Sequence, residues 1–191
     1  HLYVTGTELT DRGSEISVIR NIEILEEALT HITQEITART TRSRAVVEMI
    51  FGSRRANVSI EGVDWAEEPE LIESLAVVDG AVNARIADDA LVLPVNTAEE
   101  IGVAAGETVL LRTSTVTGQQ NVAELEVAAI IDNDRMFELA SAYTERRHLN
   151  GIIGLADDEL QVLNIALERP EAAGQASREL ETYFRSIGHA G

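Results

Sequence analysis

"AEEIGVAAGETVLLR", Ala98 to Arg112, holds two glycines four residues apart, Gly102 and Gly106, with Thr108 close behind. Read as a phosphate loop, it would place the chain among nucleotide-binding α/β folds; read as helix, turn and strand, it points elsewhere. A phosphate cradle needs G-x-x-x-x-G-K-[ST]: glycines for close backbone approach, a lysine for the terminal phosphates and a hydroxyl for magnesium. Here the pattern is G-x-x-x-G-E-T, one residue short, and Glu107 puts negative charge where the anion needs positive. The order is reversed as well, because Thr97, Ala98, Glu99 and Glu100 carry helix signals ahead of the glycines and the apolar "TVLL" follows them. The expectation is a short helix ended by Gly102 and a turn at Gly106 that launches a strand.

Around this stretch, from Trp65 to about Gly118, the acidic "WAEEPELIES", short apolar pieces and "ALVLPV" read as a small unit of short strands with one or two short helices. Next comes "VAELEVAAIID" (Val122 to Asp132), alternating and then continuously apolar, a strand with one end buried on both faces. On the N-terminal side "HLYVTG" is a short strand, and Asn21 caps a helix whose apolar stripe is Ile22, Leu25, Leu29, Ile32 and Ile36. A basic connector then leads to a hairpin, "AVVEMIF" (Ala45 to Phe51) and "ANVSIEGVD" (Ala56 to Asp64), with Gly52 at the turn. On the C-terminal side "TERRHLNGIIGL" is a helix with Thr144 as N-cap, ending near Gly154, and "LQVLNIAL" (Leu160 to Leu167) is a strand. Pro170 at the first helical position opens a last helix with Ala173, Ala176, Leu180, Phe184 and Ile187 on one stripe, stopped by Gly188. Strand-and-helix ends flanking a strand-rich middle predict an α+β fold: a mixed domain formed by the two chain ends, with a smaller strand-rich inserted subdomain.

The 191 residues suffice for a core without staples, and the longest apolar runs fall far short of the ~18 to 20 residues that a helical membrane span needs. No basic segment followed by an apolar core opens the chain, so no signal peptide is expected and the N-terminus reads as a cut inside something longer. The 33 acidic residues against 15 basic ones give a net charge of −18, which argues against a broad phosphate-binding face and makes nucleic acid an unexpected partner. Every basic residue is arginine; with neither lysine nor cysteine, Schiff-base chemistry, thiol nucleophiles and thiolate metal sites are excluded.

Four histidines, at positions 1, 31, 148 and 189, form no i, i+4 pair and no H-E-x-x-H, so no metal site is expected. "DNDRMFE" (Asp132 to Glu138) begins like a calcium loop, but Met136 sits at the third ligand position and Phe137 replaces the glycine; a solvated strand end is the reading. The carboxylate pairs Asp88 with Asp89, Glu99 with Glu100, and Asp157 with Asp158 are what an acidic surface supplies. "NVS" at Asn57 matches a glycosylation sequon inside a predicted strand, and without a G-x-S-x-G elbow a hydrolase reading has no nucleophile to name. No catalytic residue, cofactor or metal is therefore expected. Against the acidic background Arg39, Arg42, Arg44, Arg54 and Arg55 fall within seventeen residues that contain one acid, Glu48. The plain reading is that they answer surface carboxylates. The sharper one makes Arg42, Arg44, Arg54 and Arg55 a face for a partner protein or anionic headgroups. Trp65, the single tryptophan, reads as core or edge packing.

Several stretches, in order, resemble one family: the extracytoplasmic, MacB-like periplasmic core domain of FtsX-type ABC transporter permeases, in its lipoprotein-releasing-like branch. "HLYVTG" resembles the G-H-L-x-[IV] segment after the first transmembrane helix, and "VSIEGVDWAEEPEL" the strand ending in G-[IV]-D-P-x-x-E, with Trp65 in place of proline. "DDALVLPVNTAEEIGVAAGETVLLR" resembles V-L-[IVL]-[GP] followed by A-x-x-[LI]-G-V-x-x-G-[DE]-x-V-x-L. "GQQNVAELEVAAIID" is similar to V-x-G-[IV]-[FV], with Ala129 where glycine is common, "YTERRHLNGIIGL" to P-L-x-x-A-Q-x-L-L-G-L, and "LQVLNIALERPEAAGQASRELETYFRS" to the closing strand and helix.

The resemblance implies a Porter-like subdomain of residues 1–64 and 119–191, with a Sabre-like insertion of residues 65–118. It also implies a non-catalytic domain outside the cytoplasmic membrane, between the first and second transmembrane helices, coupling ATP-driven motion to release or export of a lipoprotein or hydrophobic cargo. The expected partners are a cognate ATPase subunit, reached through the transmembrane part, a second permease subunit or homodimer partner, and a periplasmic carrier or adaptor. No family binding residue transfers to this sequence. Two other readings stand beside this one: a free-standing periplasmic or secreted binding or adaptor domain, and an acidic hydrolase.

Overall fold

The two-glycine stretch folds as helix, turn and strand: Val95–Ile101 is helical, Thr108–Ser114 is extended, and between them Gly102 takes the left-handed conformation at φ 75° while its N–H donates to the Ala98 carbonyl at 2.8 Å. The Gly106 N–H donates to the Val127 carbonyl at 2.7 Å, and the Glu107 carboxylate accepts from the Ala104 N–H at 2.8 Å. Glu107 thus satisfies its own turn, in the place where a phosphate loop would need a cation.

The computed structural model describes residues 2–9, 13, 15–83, 86–132 and 141–188. In chain order the elements are β1 (Leu2–Thr5), β2 (Thr7–Leu9), β3 (Glu15–Ser17), α1 (Ile22–Leu29), β4 (Ile36–Phe51), β5 (Arg54–Val63), α2 (Pro69–Ser74), β6 (Ala76–Gly80), β7 (Ala90–Pro94) and α3 (Val95–Ile101). They continue with β8 (Thr108–Ser114), β9 (Gln120–Asp132), β10 (Ala142–Glu145), α4 (Arg146–Ile153), β11 (Val162–Leu167), a 3-10 turn (Pro170–Ala172) and α5 (Ala173–Ser186). This mixture of strand and helix is the α+β class expected. From Asn133 onward, the "DNDRMFE" segment lies outside the described residues, as do His1 and His189.

The chain forms two compact units, residues 1–41 with 158–191, and residues 42–157. In the first, β1 pairs antiparallel with β11, which is bonded on its other side to β4, where the Asn164 amide donates to the Thr40 hydroxyl. The apolar faces of α1 and α5 bury Leu25, Ala28, Leu29, Ala176 and Leu180 against Leu163 and Ile165. Among the described residues β2 and β3 pair with each other alone and form a short ribbon. Asn21 caps α1 as expected, its side-chain oxygen accepting from the Ile24 N–H at 3.1 Å. The helix stops at Leu29, however, so Ile36, expected on its stripe, begins a strand instead. Thr30 turns its hydroxyl onto the Glu27 carbonyl, and the β-branched residues that follow favour extension.

In the second unit, β4 pairs with β5, β5 with β10, β10 with β7, β7 with β9, β9 with β8 and β8 with β4, so six strands close on themselves. Closure removes their free edges. Inside, Met49, Ile60, Leu91, Leu111 and Leu125 are fully buried, and all five residues of β7, bonded on both sides, are buried too. The far end of β9 shows the burial on both faces that its continuous apolar run predicts. β6 extends the sheet beyond β9, with all five of its residues exposed. The expected basic connector is strand, since β4 runs 16 residues without a break. Thr144, expected as a helix N-cap, lies in β10 and donates to the Ala90 carbonyl at 2.8 Å, while Glu145 occupies the cap position. Pro170 opens a 3-10 turn before α5. Trp65 is core, packed with Val63, Val92, Ala129, Ile131 and Tyr143.

Candidate functional site

Strand pairing sets which arginines share a face. Along β4 and β5, Arg44 lies across from Glu61, Glu48 from Asn57, and Ile50 from Arg55; on the other edge of β4, Glu48 lies across from Arg112 and Ile50 from Leu110. Directly opposed residues point to the same side of a sheet, so these side chains form one outward face, while Met49 and Leu111 point inward.

The charges on that face are matched locally. Arg44 Nε meets Glu61 at 3.2 Å, Glu48 receives Arg112 at 2.5 Å and Arg55 at 3.7 Å, and the Arg44 and Arg55 side chains remain 52% and 60% exposed. Arg42 differs: it is only 8% exposed, forms a two-pronged ion pair with the buried Glu68, and reaches Glu61 at 3.5 Å. Glu68 closes the loop before α2, so this pair ties β4 to a segment 26 residues further along the chain. Arg54, next to Arg55 and therefore on the other side of β5, is exposed and lays its guanidinium over Gly102, where a Cβ would stand 2.8 Å from Nη1. Arg39 lies in the other unit, paired with Glu26 at 2.7 Å.

Exposed guanidiniums bridged to surface carboxylates exchange partners at small cost. The outward face can therefore take up carboxylates or phosphates from another molecule while Arg42 stays fixed. Sequence reasoning found these arginines from their density. It missed Arg112, brought in by β8 from 57 residues beyond Arg55, and it missed Glu61 and Glu68 as their partners. The single charge in each of "TVLLR" and "SIEGV", Arg112 and Glu61, set in an otherwise apolar or small-residue strand, was the available signal.

The six residues of the adjacent carboxylate pairs are all exposed. A different acidic grouping is shaped by the fold: parallel pairing of β10 with β5 brings Glu145 beside Asp64. Burial first, then the Asp64 charge, push the Glu145 carboxyl above its ordinary value, although the N–H groups of Arg147 and Trp65 donate to it. Among the described residues no three His, Cys, Asp or Glu side chains are grouped to hold a metal ion, and no helix is long and apolar enough to cross a membrane.

No protein-family model matches the chain, and no curated protein matches it. Solved structures do. The extracellular domain of the noncanonic ABC-type transporter YknZ from Gram-positive bacteria is similar with a TM-score of 0.57 at 13% identity, over 86% of this chain and 83% of that one. The periplasmic region of MacB from Actinobacillus actinomycetemcomitans gives a TM-score of 0.56 at 13% identity, over 97% of this chain and 82% of the other. A domain of a protein described as a permease from Porphyromonas gingivalis gives 0.50 at 13% identity, over 97% and 83%. At this identity the likeness is one of fold.

Proposed function

We propose that this chain is the extracytoplasmic domain of an ABC transporter permease. In this reading it couples ATP-driven motion of the transmembrane helices to release or export of a lipoprotein or hydrophobic cargo, with ATP hydrolysed on a separate subunit. The observation that carries the proposal is the likeness of fold over 86% or more of the chain to extracellular and periplasmic transporter domains. Sequence motifs in the family's order support it independently. Within this reading we take residues 1–64 and 119–191 as a Porter-like part and 65–118 as a Sabre-like insertion, a division that follows the resemblance of the sequence motifs and differs from the two compact units.

A domain of this kind works by contact, and the hairpin supplies a surface for it. Arg44 and Arg55 are presented on the outward face to a carrier, adaptor or headgroup, Arg54 is exposed on the opposite side of the hairpin over Gly102, and the buried Arg42 braces the hairpin through Glu61 and Glu68. Flanking gene sequence separates this reading from a free-standing binding domain: the permease reading expects an apolar run of about 20 residues before His1 and three more after Gly191. The coupling is tested on the full-length permease reconstituted with its ATPase. Hydrogen exchange within residues 42–157 should differ between the ADP state and the ADP–vanadate state trapped after ATP hydrolysis, and identical exchange in both states would contradict coupling.

A further inference from the structure

On the outward face of the second unit, cross-strand register between β8 and β9 sets a square of four side chains. Arg112 lies directly across from Val122, and Leu110 from Glu124. Opposite charges therefore occupy one diagonal and apolar side chains the other. Both apolar members face water, Leu110 at 39% exposure and Val122 at 58%, while Val109, Leu111 and Leu125, on the other side of the same strands, are fully buried. The charges are not used up within the chain. Glu48 is shared by two arginines, Arg112 at 2.5 Å and Arg55 at 3.7 Å, and all three belong to this face, so one positive charge is left over. The exposed Glu124 side chain makes no hydrogen bond or ion pair among the described residues, which leaves one negative charge. Together the four sum to zero on a chain of net charge −18, and acidic surface resumes at Glu126, across from Thr108.

This pattern is complementary to itself. A two-fold interface presents the same patch from both copies. When a second copy is turned over about the Leu110 to Val122 diagonal, Arg112 of each copy faces Glu124 of the other, and Leu110 and Val122 each meet their own counterpart. A partner of uniform charge, basic or acidic, would match one corner of the square and oppose the other. Two chains of charge −18 repel when they approach acid against acid, whereas this neutral patch lets them meet without that cost.

We propose that this face is a contact between two copies of the chain, with Arg112 and Glu124 exchanged across a two-fold axis. Three outward residues on each of β5, β4, β8 and β9 cover roughly 400 Å2, about half of the ~800 Å2 per partner in a stable complex, so the contact is weak and reversible. It does not depend on the transporter reading. The chain has no cysteine, so disulfide formation between copies of a single-cysteine variant, under a mild oxidant at low ionic strength, captures the contact. Val122→Cys, on the axis, should cross-link at least about tenfold faster than Glu99→Cys, which is exposed on α3. Adding Glu124→Arg to Val122→Cys puts like charges at both corners and, with an unchanged melting temperature, should bring the rate down to that control. Arg112→Glu should do the same. Mixing the two charge variants, each carrying Val122→Cys, rebuilds opposite-charge contacts between unlike copies and should restore fast cross-linking as a heterodimer. Cross-linking of Val122→Cys no faster than the control, a rate that Glu124→Arg leaves unchanged, or a mixture as slow as its components would overturn the proposal. Should Arg112→Glu fail to fold, the Val122→Cys and Glu124→Arg results decide.

Discussion

Arg42 and Arg44 are two residues apart on one strand and carry the same charge, yet burial gives them different roles. Removing the carboxylate from Arg42 strands a buried cation, and Glu68→Ala should cost on the order of 3 kcal/mol, softened by the remaining contact with Glu61. Arg44→Ala, at a half-exposed pair, should change stability by no more than about 0.5 kcal/mol. Urea unfolding of both variants checks the contrast, and equal losses would mean that burial does not separate the two arginines. Glu145 gives a pH test with a definite sign. Its folded value lies above the ordinary 4.5, so the protonated form is favoured by the fold, and its contribution is fully present at low pH and lost as pH rises through the folded value. Glu145→Gln, which keeps an acceptor for the Arg147 and Trp65 N–H groups, should therefore stabilise the protein at neutral pH. The gain should vanish as the pH falls below about 4. Thermal melts of both proteins from pH 3 to 8 measure the difference, and a gain that grows toward acid would contradict the assignment.

At the level of elements, the glycine at the end of α3 is the most sensitive joint. Gly102 combines a left-handed backbone with the Arg54 guanidinium overhead, so Gly102→Ala should cost about 1–2 kcal/mol, most of it from the backbone because Arg54 can swing away. Gly151, in α4 with open space around its Cα, provides the control, since Gly151→Ala should be neutral or stabilising in the same unfolding assay. Local signals made these elements legible: the Asn21 cap, the Gly52 hairpin turn and the helix stops at Gly102 and Gly154 depend on residues a few positions apart. Where the reading failed, the cause was remote. Thr144 looks like an N-cap until β5 and β7 arrive on either side of it and draw it into a strand, its hydroxyl bonded 54 residues away. The arginine-rich connector becomes strand because β5 pairs along Ser43 and Arg44, and β11 is bonded to the earlier part of β4.

Across the whole molecule, ring closure was the least legible feature. It depends on three residue pairs between β4 and β8, about 60 positions apart, which no local pattern announces. The arginine surface was half legible for the same reason: its density shows in the sequence, while its matched carboxylates come together only through the fold. What the sequence carried at this scale was the order of motifs, and the solved transporter domains share the fold at 13% identity. The proposed function places this domain outside the cytoplasmic membrane, a location that a single reporter can test. The chain contains no cysteine, and Ser53 is exposed at the hairpin tip, so Ser53→Cys introduces one accessible thiol into this domain of the full-length protein. A membrane-impermeant maleimide applied to intact cells, with any outer membrane made permeable, should label that thiol as fully as it does after lysis. Labelling that appears only after the cytoplasmic membrane is broken would contradict an extracytoplasmic transporter domain.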